Sequence, residues 1–275
     1  MFRWTRLTSA KWEDSWAERL TFLGEDRVAF ITWPDQRRVR IEAFVDERTG
    51  EKLVREFGGK LSKAKLWTGD PVQPRAPLNI RGRLRVFPDE TSFAQWRESP
   101  GKTAGIFVPA GMAFGTGDHA TTASCLRMLA DTATTFGADW SALDAGTGSG
   151  ILALAASAFG AKKVEAFDND PAAVRIAKEN AKLSGITNVR TVRADVTTWS
   201  PKVAHDVVLA NLFSELLIGV IPQLKAATKS PGHLIFSGVL SGQLGEVTTA
   251  FRDHGFEIER TVVRGKWSAG HCRLR

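Results

Sequence analysis

The chain has 275 residues, 43% hydrophobic and 24% charged, a globular composition with room for one large domain and a small one. Its formal charge of +7 favours acidic partners, yet the basic residues (Arg37, Arg38, Arg40; Arg81, Arg83, Arg85; Lys162, Lys163) are scattered and read as solvated faces, so an RNA contact is only weakly supported. No apolar run is long enough for a membrane span, Met1-Phe-Arg-Trp-Thr-Arg lacks a secretory apolar region, and two distant cysteines (Cys125, Cys272) exclude a disulfide framework or a cysteine zinc site, so a soluble cytoplasmic protein with inert thiols and no membrane partner is expected.

In chain order, residues 2–7 read as strand, 11–23 as helix, 27–33 and 38–45 as strands, 47–57 as helix and 63–67 as a last strand. That β-α-β-β-α-β order predicts a small N-terminal α+β ferredoxin-like domain over 1–67. Residues 68–77 hold Pro71, Pro74 and Pro77, a stiff boundary, and 78–140 read as a bridging segment ending in a helix over 121–133.

From 141 to 275 short β-branched runs alternate with helical stretches. Strands are predicted over 141–146, 163–168, 189–194, 205–211, 232–238, 256–264 and 267–274, and helices near 149–159, 171–184, 214–227 and 242–254. Only Gly265-Lys266 separates the last two strands, which forces an antiparallel hairpin. The predicted class is therefore α/β, a class I methyltransferase Rossmann-like sheet with a terminal antiparallel hairpin; dinucleotide dehydrogenases typically finish all-parallel.

The chemistry concentrates at the ends of these strands. Asp144-Ala-Gly146-Thr-Gly148-Ser-Gly150 closes a strand and opens a helix, so glycines let the backbone turn and approach a nucleotide-like ligand with free amides. Ile151 stands where a dinucleotide fingerprint needs its third glycine, which argues against NAD. Asp168 ends the next strand, 22 positions after Gly146, where a carboxylate can hold ribose hydroxyls; Asp170-Pro171 supplies the helix cap and leaves Asp168 free. Asp195 closes the third strand and reads equally as an adenine contact or a turn former. Asn211 ends the fourth strand, and Ser214 is available to cap the following helix, so Asn211 is assigned to ligand. Upstream, Phe114-Gly115-Thr116-Gly117-Asp-His119-Ala-Thr121-Thr122 is a second glycine-rich loop running into a helix. The five histidines, His119 included, are scattered with no metal-ligand or triad spacing, so no metal and no proton-transfer histidine is expected.

Together AFGTGDHATT (113–122), LDAGTGSGILALA (143–155), AFDNDP (166–171) and VVLANL (207–212) resemble the bacterial ribosomal protein L-eleven methyltransferase (PrmA) family, as do Ser237-Gly-Val-Leu240 and Gly265-Lys-Trp267. The resemblance runs at motif level from about 80 to 275. It implies a catalytic domain over 141–275, a substrate-binding N-terminal domain, and S-adenosyl-L-methionine as cofactor. By motif the cofactor residues would be Thr122, Gly146, Asp168 and Asn211, with Gly148 in the same loop and Phe114, Gly115 and Thr116 at the methionine end. The implied reaction methylates amines, lysine side chains and the N-terminal α-amine, of a large-subunit ribosomal protein, with Asn211 as the catalytic residue. The family's usual Thr-His-Pro and Asn-Ile-Leu-Ala are here Asp118-His119-Ala120 and Asn211-Leu-Phe-Ser214. Two other readings fit the charge: a class I methyltransferase of RNA or another protein, and a non-enzymatic ribosome-binding adaptor. The first lacks an Asn-Pro-Pro-Tyr-like motif at 211–214, and the second has no use for Asp168 and Asn211.

Overall fold

A computed structural model describes residues 2–9, 16, 20, 23, 27–32, 38–64, 76–109 and 120–275. The chain divides into two compact units, 1–73 and 74–275.

In the first unit, strands β1 (Phe2–Ser9), β2 (Val28–Thr32), β3 (Arg38–Val45) and β4 (Lys60–Lys63) form an antiparallel sheet in the order β2-β3-β1-β4. The hairpin partner β3 thus separates β1 from β2, which is the ferredoxin-like order expected from the sequence. Helix α1 (Glu47–Phe57) starts where Asp46 accepts the Thr49 amide and stops at Gly58, whose φ is 68°. Trp4, Ile41, Ala43, Val45 and Leu53 make the core, joined by Trp16 and Leu20, both helical. Residues 65–67 of the expected last strand and most of the helix over 11–23 lie outside the described residues; β4 itself begins at Lys60, three residues earlier than expected.

The second unit holds two sheets. The segment 78–140 contains more than a bridge: β5 (Leu78–Ile80), β6 (Leu84–Phe87) and β7 (Ala104–Phe107) form a small sheet, with α2 (Glu90–Glu98) as the crossover between the parallel pair β6 and β7. Phe87, Phe93 and Phe107, with Trp96 packed against them, bury its own aromatic core.

Then come α3 (Ala120–Thr132), β8 (Ser141–Ala145), α4 (Ile151–Ala158), β9 (Lys163–Asp168), α5 (Pro171–Leu183), β10 (Val189–Arg193), β11 (His205–Asn211), α6 (Ser214–Gly219), α7 (Ile221–Ala226), β12 (Thr228–Leu240), α8 (Leu244–Asp253), β13 (Phe256–Arg264) and β14 (Trp267–Leu274). The strands form a sheet in the order β10-β9-β8-β11-β12-β14-β13. Pairs from β10 to β12 are parallel, and β14 runs antiparallel to both neighbours. The hairpin is therefore folded back so that its second strand occupies the inner place. The predicted helix over 214–227 is two short helices, because Pro222 falls in the first turn of α7 and cannot continue α6. The strand predicted over 232–238 extends to 228–240, since β12 is paired on both sides.

Two apolar clusters cover the faces of this sheet. One joins α3 and the alanine-rich α4 to β8, β11 and the small sheet; the other joins α6, α7 and α8 to β11 and β12. Phe236 and Phe251 stack with ring centres 5.0 Å apart in the second cluster, and each buried aromatic of this kind contributes about 1.5–3 kcal/mol. Cys125 and Cys272 are buried, and burial raises both thiols, so they are the inert residues expected.

Candidate active site

The parallel strands β8, β9 and β11 end side by side, and the polar residues predicted from sequence sit at that carboxyl edge. After β8 the chain turns through Gly146 (φ 75°), Gly148 (φ 53°) and Gly150 (φ 84°) before α4 begins. A β-carbon on Gly146 would lie 2.6 Å from Leu212 Cδ2, and one on Gly150 would lie 3.0 Å from Ala177 Cβ and 3.2 Å from its Cα. The positive φ favours glycine at both positions, and at Gly150 the close α5 backbone adds a steric reason.

The loop's polar groups are mostly used within the protein, which corrects the expectation of free amides. The Gly146 and Thr147 amides donate to the Phe167 carbonyl at 2.9 Å, and the Gly148 amide donates to Asp168 Oδ2 at 2.9 Å. Asp144, completely buried, anchors the loop from below: its Oδ2 accepts the Thr147 hydroxyl at 2.6 Å and the Ala153 amide at 3.1 Å. Burial pushes its carboxyl up to about 7, against those two hydrogen bonds, which lower it. The sequence marked Asp144 only as the loop's first letter; its place three residues before a threonine was the available signal.

Asp168 is half-buried and accepts two backbone amides, Gly148 at Oδ2 and Asp170 at Oδ1 (3.0 Å). Each oxygen keeps a second lone pair, so the carboxylate can still accept hydroxyl donors. Asp170 caps α5 by accepting the Ala172 amide at 2.8 Å, as read from Asp170-Pro171. Asp195 is exposed and takes the turn role: its Oδ1 accepts the Thr197 amide and hydroxyl at 2.9 and 2.7 Å, the hydroxyl leading in holding the carboxyl below its ordinary value.

Asn211 closes the other side. Its Nδ2 faces the hydroxyls of Thr121 and Thr122, 3.4 Å from each, while Oδ1 is buried with no hydrogen-bond partner among the described residues. Rotating the amide would exchange its two ends and still leave one unpartnered. Thr122, Gly146, Thr147, Gly148, Ile151, Leu152 and Asn211 surround a recess of about 20 Å³, room for about one water. Ser214 is not the helix cap expected from sequence; it is the first residue of α6 and donates to Gln243 Oε1 at 2.7 Å. Asn211 is nonetheless free of capping, since Phe213 holds that position. Phe213 itself is 67% exposed, an aromatic two residues past Asn211 that the sequence reading passed over. Phe114, Gly115, Thr116 and His119 lie outside the described residues.

Histidines that are scattered in sequence do meet in space. His233 Nδ1 is 2.9 Å from His271 Nε2, and His271 Nδ1 is 3.3 Å from Glu259, a chain across β12, β14 and β13. Burial pushes His271 down to about 4, and the facing atoms are hydrogen-bonded to one another.

The chain that carries this site has relatives among known proteins. The family model described as ribosomal protein L11 methyltransferase (PrmA) matches residues 29–274. The chain belongs to the ribosomal protein L11 methyltransferase family. A ribosomal protein L11 methyltransferase of Heliobacterium modesticaldum is 39% identical over 164 residues, 60% of this chain and 51% of that protein. The Rhizobium meliloti protein of the same name is 39% identical over 209 residues, 74% of this chain and 70% of that protein. The crystal structure of a ribosomal protein L11 methylase from Lactobacillus delbrueckii subsp. bulgaricus matches with a TM-score of 0.62 and 29% identity, covering 73% of this chain and 100% of that one. The fold is that of a class I methyltransferase. The matched part of this chain spans about half the length of the Heliobacterium relative.

Proposed function

We propose that this family member transfers methyl groups from S-adenosyl-L-methionine to amines, lysine side chains and an N-terminal α-amine, of a large-subunit ribosomal protein in the cytoplasm. The observation that carries the reading is Asn211 Oδ1, buried and without a hydrogen-bond partner among the described residues, on a side chain that lines a recess shared with the glycine loop. A buried acceptor without a donor costs about 1–3 kcal/mol, a penalty that a donor-bearing ligand removes.

The residues present fit the cofactor. Asp168 would hold ribose hydroxyls with its spare lone pairs, Gly146 and Gly148 would let the ligand approach the backbone, and Thr122, with Phe114, Gly115 and Thr116, would line the methionine end. Asp195, at the end of β10, would reach the adenine edge with the oxygen its turn does not use. When bound, the cofactor supplies an electrophilic methyl group on sulfonium.

The protein's part is then positioning and desolvation. Among the described residues no histidine or lysine stands at Asn211 to act as a base, so the acceptor amine has to arrive neutral. A lysine amine brought against Asn211 and out of water loses solvation of its charged form, which lowers its pKa. Asn211 Oδ1 accepts an amine N–H and fixes its direction, and the two threonine hydroxyls fix Asn211. Phe213 offers an exposed aromatic wall for the lysine stem.

Residues 1–67, as the ferredoxin-like domain, dock the protein substrate, and the proline-rich 68–77 is the linker. The test is transfer of radiolabelled methyl from S-adenosylmethionine into ribosomal extract. A labelled large-subunit protein is expected; label in RNA alone would overturn the proposal. Deleting 1–67 should leave cofactor affinity nearly unchanged and abolish transfer, and equal loss of both would sink the division of labour.

A further inference from the structure

Four arginines from three elements converge beside the site without an equal number of carboxylates. Arg81 lies in the β5–β6 turn, Arg127 on α3, and Arg260 and Arg264 on β13; with Ser124 and Val262 they line a cavity of about 180 Å³. Asp131 bridges two of them, Arg81 at 2.8 Å and Arg260 at 3.0 Å. No ion pair is found for Arg127 or Arg264 among the described residues; Arg127 spends one N–H on the Ala123 carbonyl at 3.1 Å. Burial, then Arg264 and Arg81, lowers the Arg127 pKa, the direction expected for a half-buried cation facing like charges.

Arg81 is placed by a tight hairpin turn. Arg81 has φ 55° in a turn closed by the Arg83 amide on the Ile80 carbonyl, a left-handed conformation that a β-carbon disfavours. Apposed guanidinium groups with one shared carboxylate leave three net positive charges around a concave, half-solvated surface. Such a site wants an oxyanion. Arginine rather than lysine at all four positions favours phosphate, whose oxygens match the planar fork bidentately. The groups are spread over three elements and remain 43–47% exposed at Arg81 and Arg260, which suits successive phosphodiesters better than one enclosed small anion.

We infer that this arginine pocket is a binding site for the phosphodiester backbone of RNA. It shares α3 with the active site: Thr121 faces Asn211, and Arg127 follows six residues later, roughly 9 Å along the helix axis. RNA held there lies beside the transfer site without entering it. This gives the basic charge of the chain a location, which the scattered sequence pattern did not.

The test is binding of fluorescein-labelled single-stranded oligouridine to the full chain across a salt series, by anisotropy. The double variant Arg127→Gln/Arg264→Gln should weaken binding at least tenfold at low salt and flatten the slope of log K against log salt by about 1.4, the share of two single-strand phosphate contacts. Arg264→Gln alone, at an exposed position, should give about half that slope change, so the result does not hang on the half-buried Arg127. Arg190→Gln, on the far edge strand β10, should change binding less than twofold. Absence of RNA binding by the wild type, or equal slopes in wild type and double variant, would overturn the inference. So would displacement of the RNA by millimolar inorganic phosphate or by polyglutamate at constant ionic strength, which would assign the pocket to a small anion or an acidic peptide. The titration needs no cofactor and no methyl acceptor, so its outcome is separate from that of the methyltransferase proposal.

Discussion

The two sides of the carboxyl edge differ in how many of their polar groups are held by the protein itself. On the β8–β9 side, Thr147, Gly148 and Asp168 pair with neighbouring side chains and backbone, and Asp144 spends Oδ2 on Thr147 and Ala153 while its Oδ1 is buried without a partner among the described residues. On the β11 side, Asn211 spends one end of its amide on Thr121 and Thr122 and leaves the other buried without a partner among the described residues. A loop held by several contacts of its own suits a cofactor bound in every turnover. An unfinished acceptor suits a group present only when the reacting amine is there, and that difference separates binding residues from the one expected to act in transfer.

Substitutions separate the two sides. The largest effect is expected from Asn211→Ala, which should lower kcat about 100-fold and change the S-adenosylmethionine Kd less than threefold, because the lost contact forms with the amine. Steady-state kinetics beside cofactor titration reads this split, and a parallel loss in both would place Asn211 in the cradle instead. Next, Gly150→Ala should destabilise the fold by roughly 2–3 kcal/mol in urea denaturation, combining the φ of 84° with contact against the α5 backbone. Gly146→Ala should cost less stability, since it meets only the flexible end of Leu212, and should weaken cofactor binding more.

Asp144 gives a pH signature of the buried side. Its carboxyl is raised from 3.8 to about 7, so the folded chain binds a proton that the unfolded chain has already released. That contribution is full below about pH 4 and is lost as pH rises through 7, with a slope of up to about 1.4 kcal/mol per unit in that window. Asp144→Asn keeps an acceptor for Thr147 and Ala153 and should remove this component; identical pH dependence in both proteins would contradict the assignment. The smallest effect is expected at Asp195→Ala, under fivefold in cofactor affinity, because the side chain is exposed and already committed to Thr197.

Much of this was legible in the chain. Glycine, proline and aspartate punctuation placed β3, α1, β9, β11, β13 and β14 at their observed ends, because those residues act on the local backbone. Gly265-Lys266 required the final hairpin, but local chemistry could not say that β14, not β13, takes the place beside β12; that is decided by which strand buries both faces, and Ser268, Ala269, Gly270 and Cys272 are the small buried residues that do. Asp168 and Asn211 were found as polar residues at the ends of apolar runs. What the sequence did not show was partnership: Ser214 with Gln243, Asp144 with Thr147 and Ala153, and the His233–His271–Glu259 chain all depend on pairings that only the folded sheet creates.

The glycine loop and Asp168 are proposed to hold S-adenosylmethionine. Calorimetric titration of the full chain against its Asp168→Ala variant tests it most directly. The wild type should bind with micromolar affinity and the variant about 100-fold more weakly, as expected for loss of charge-assisted hydrogen bonds of ~1.5–3 kcal/mol each. Equal affinity in the two proteins, or no binding by the wild type, would contradict the account.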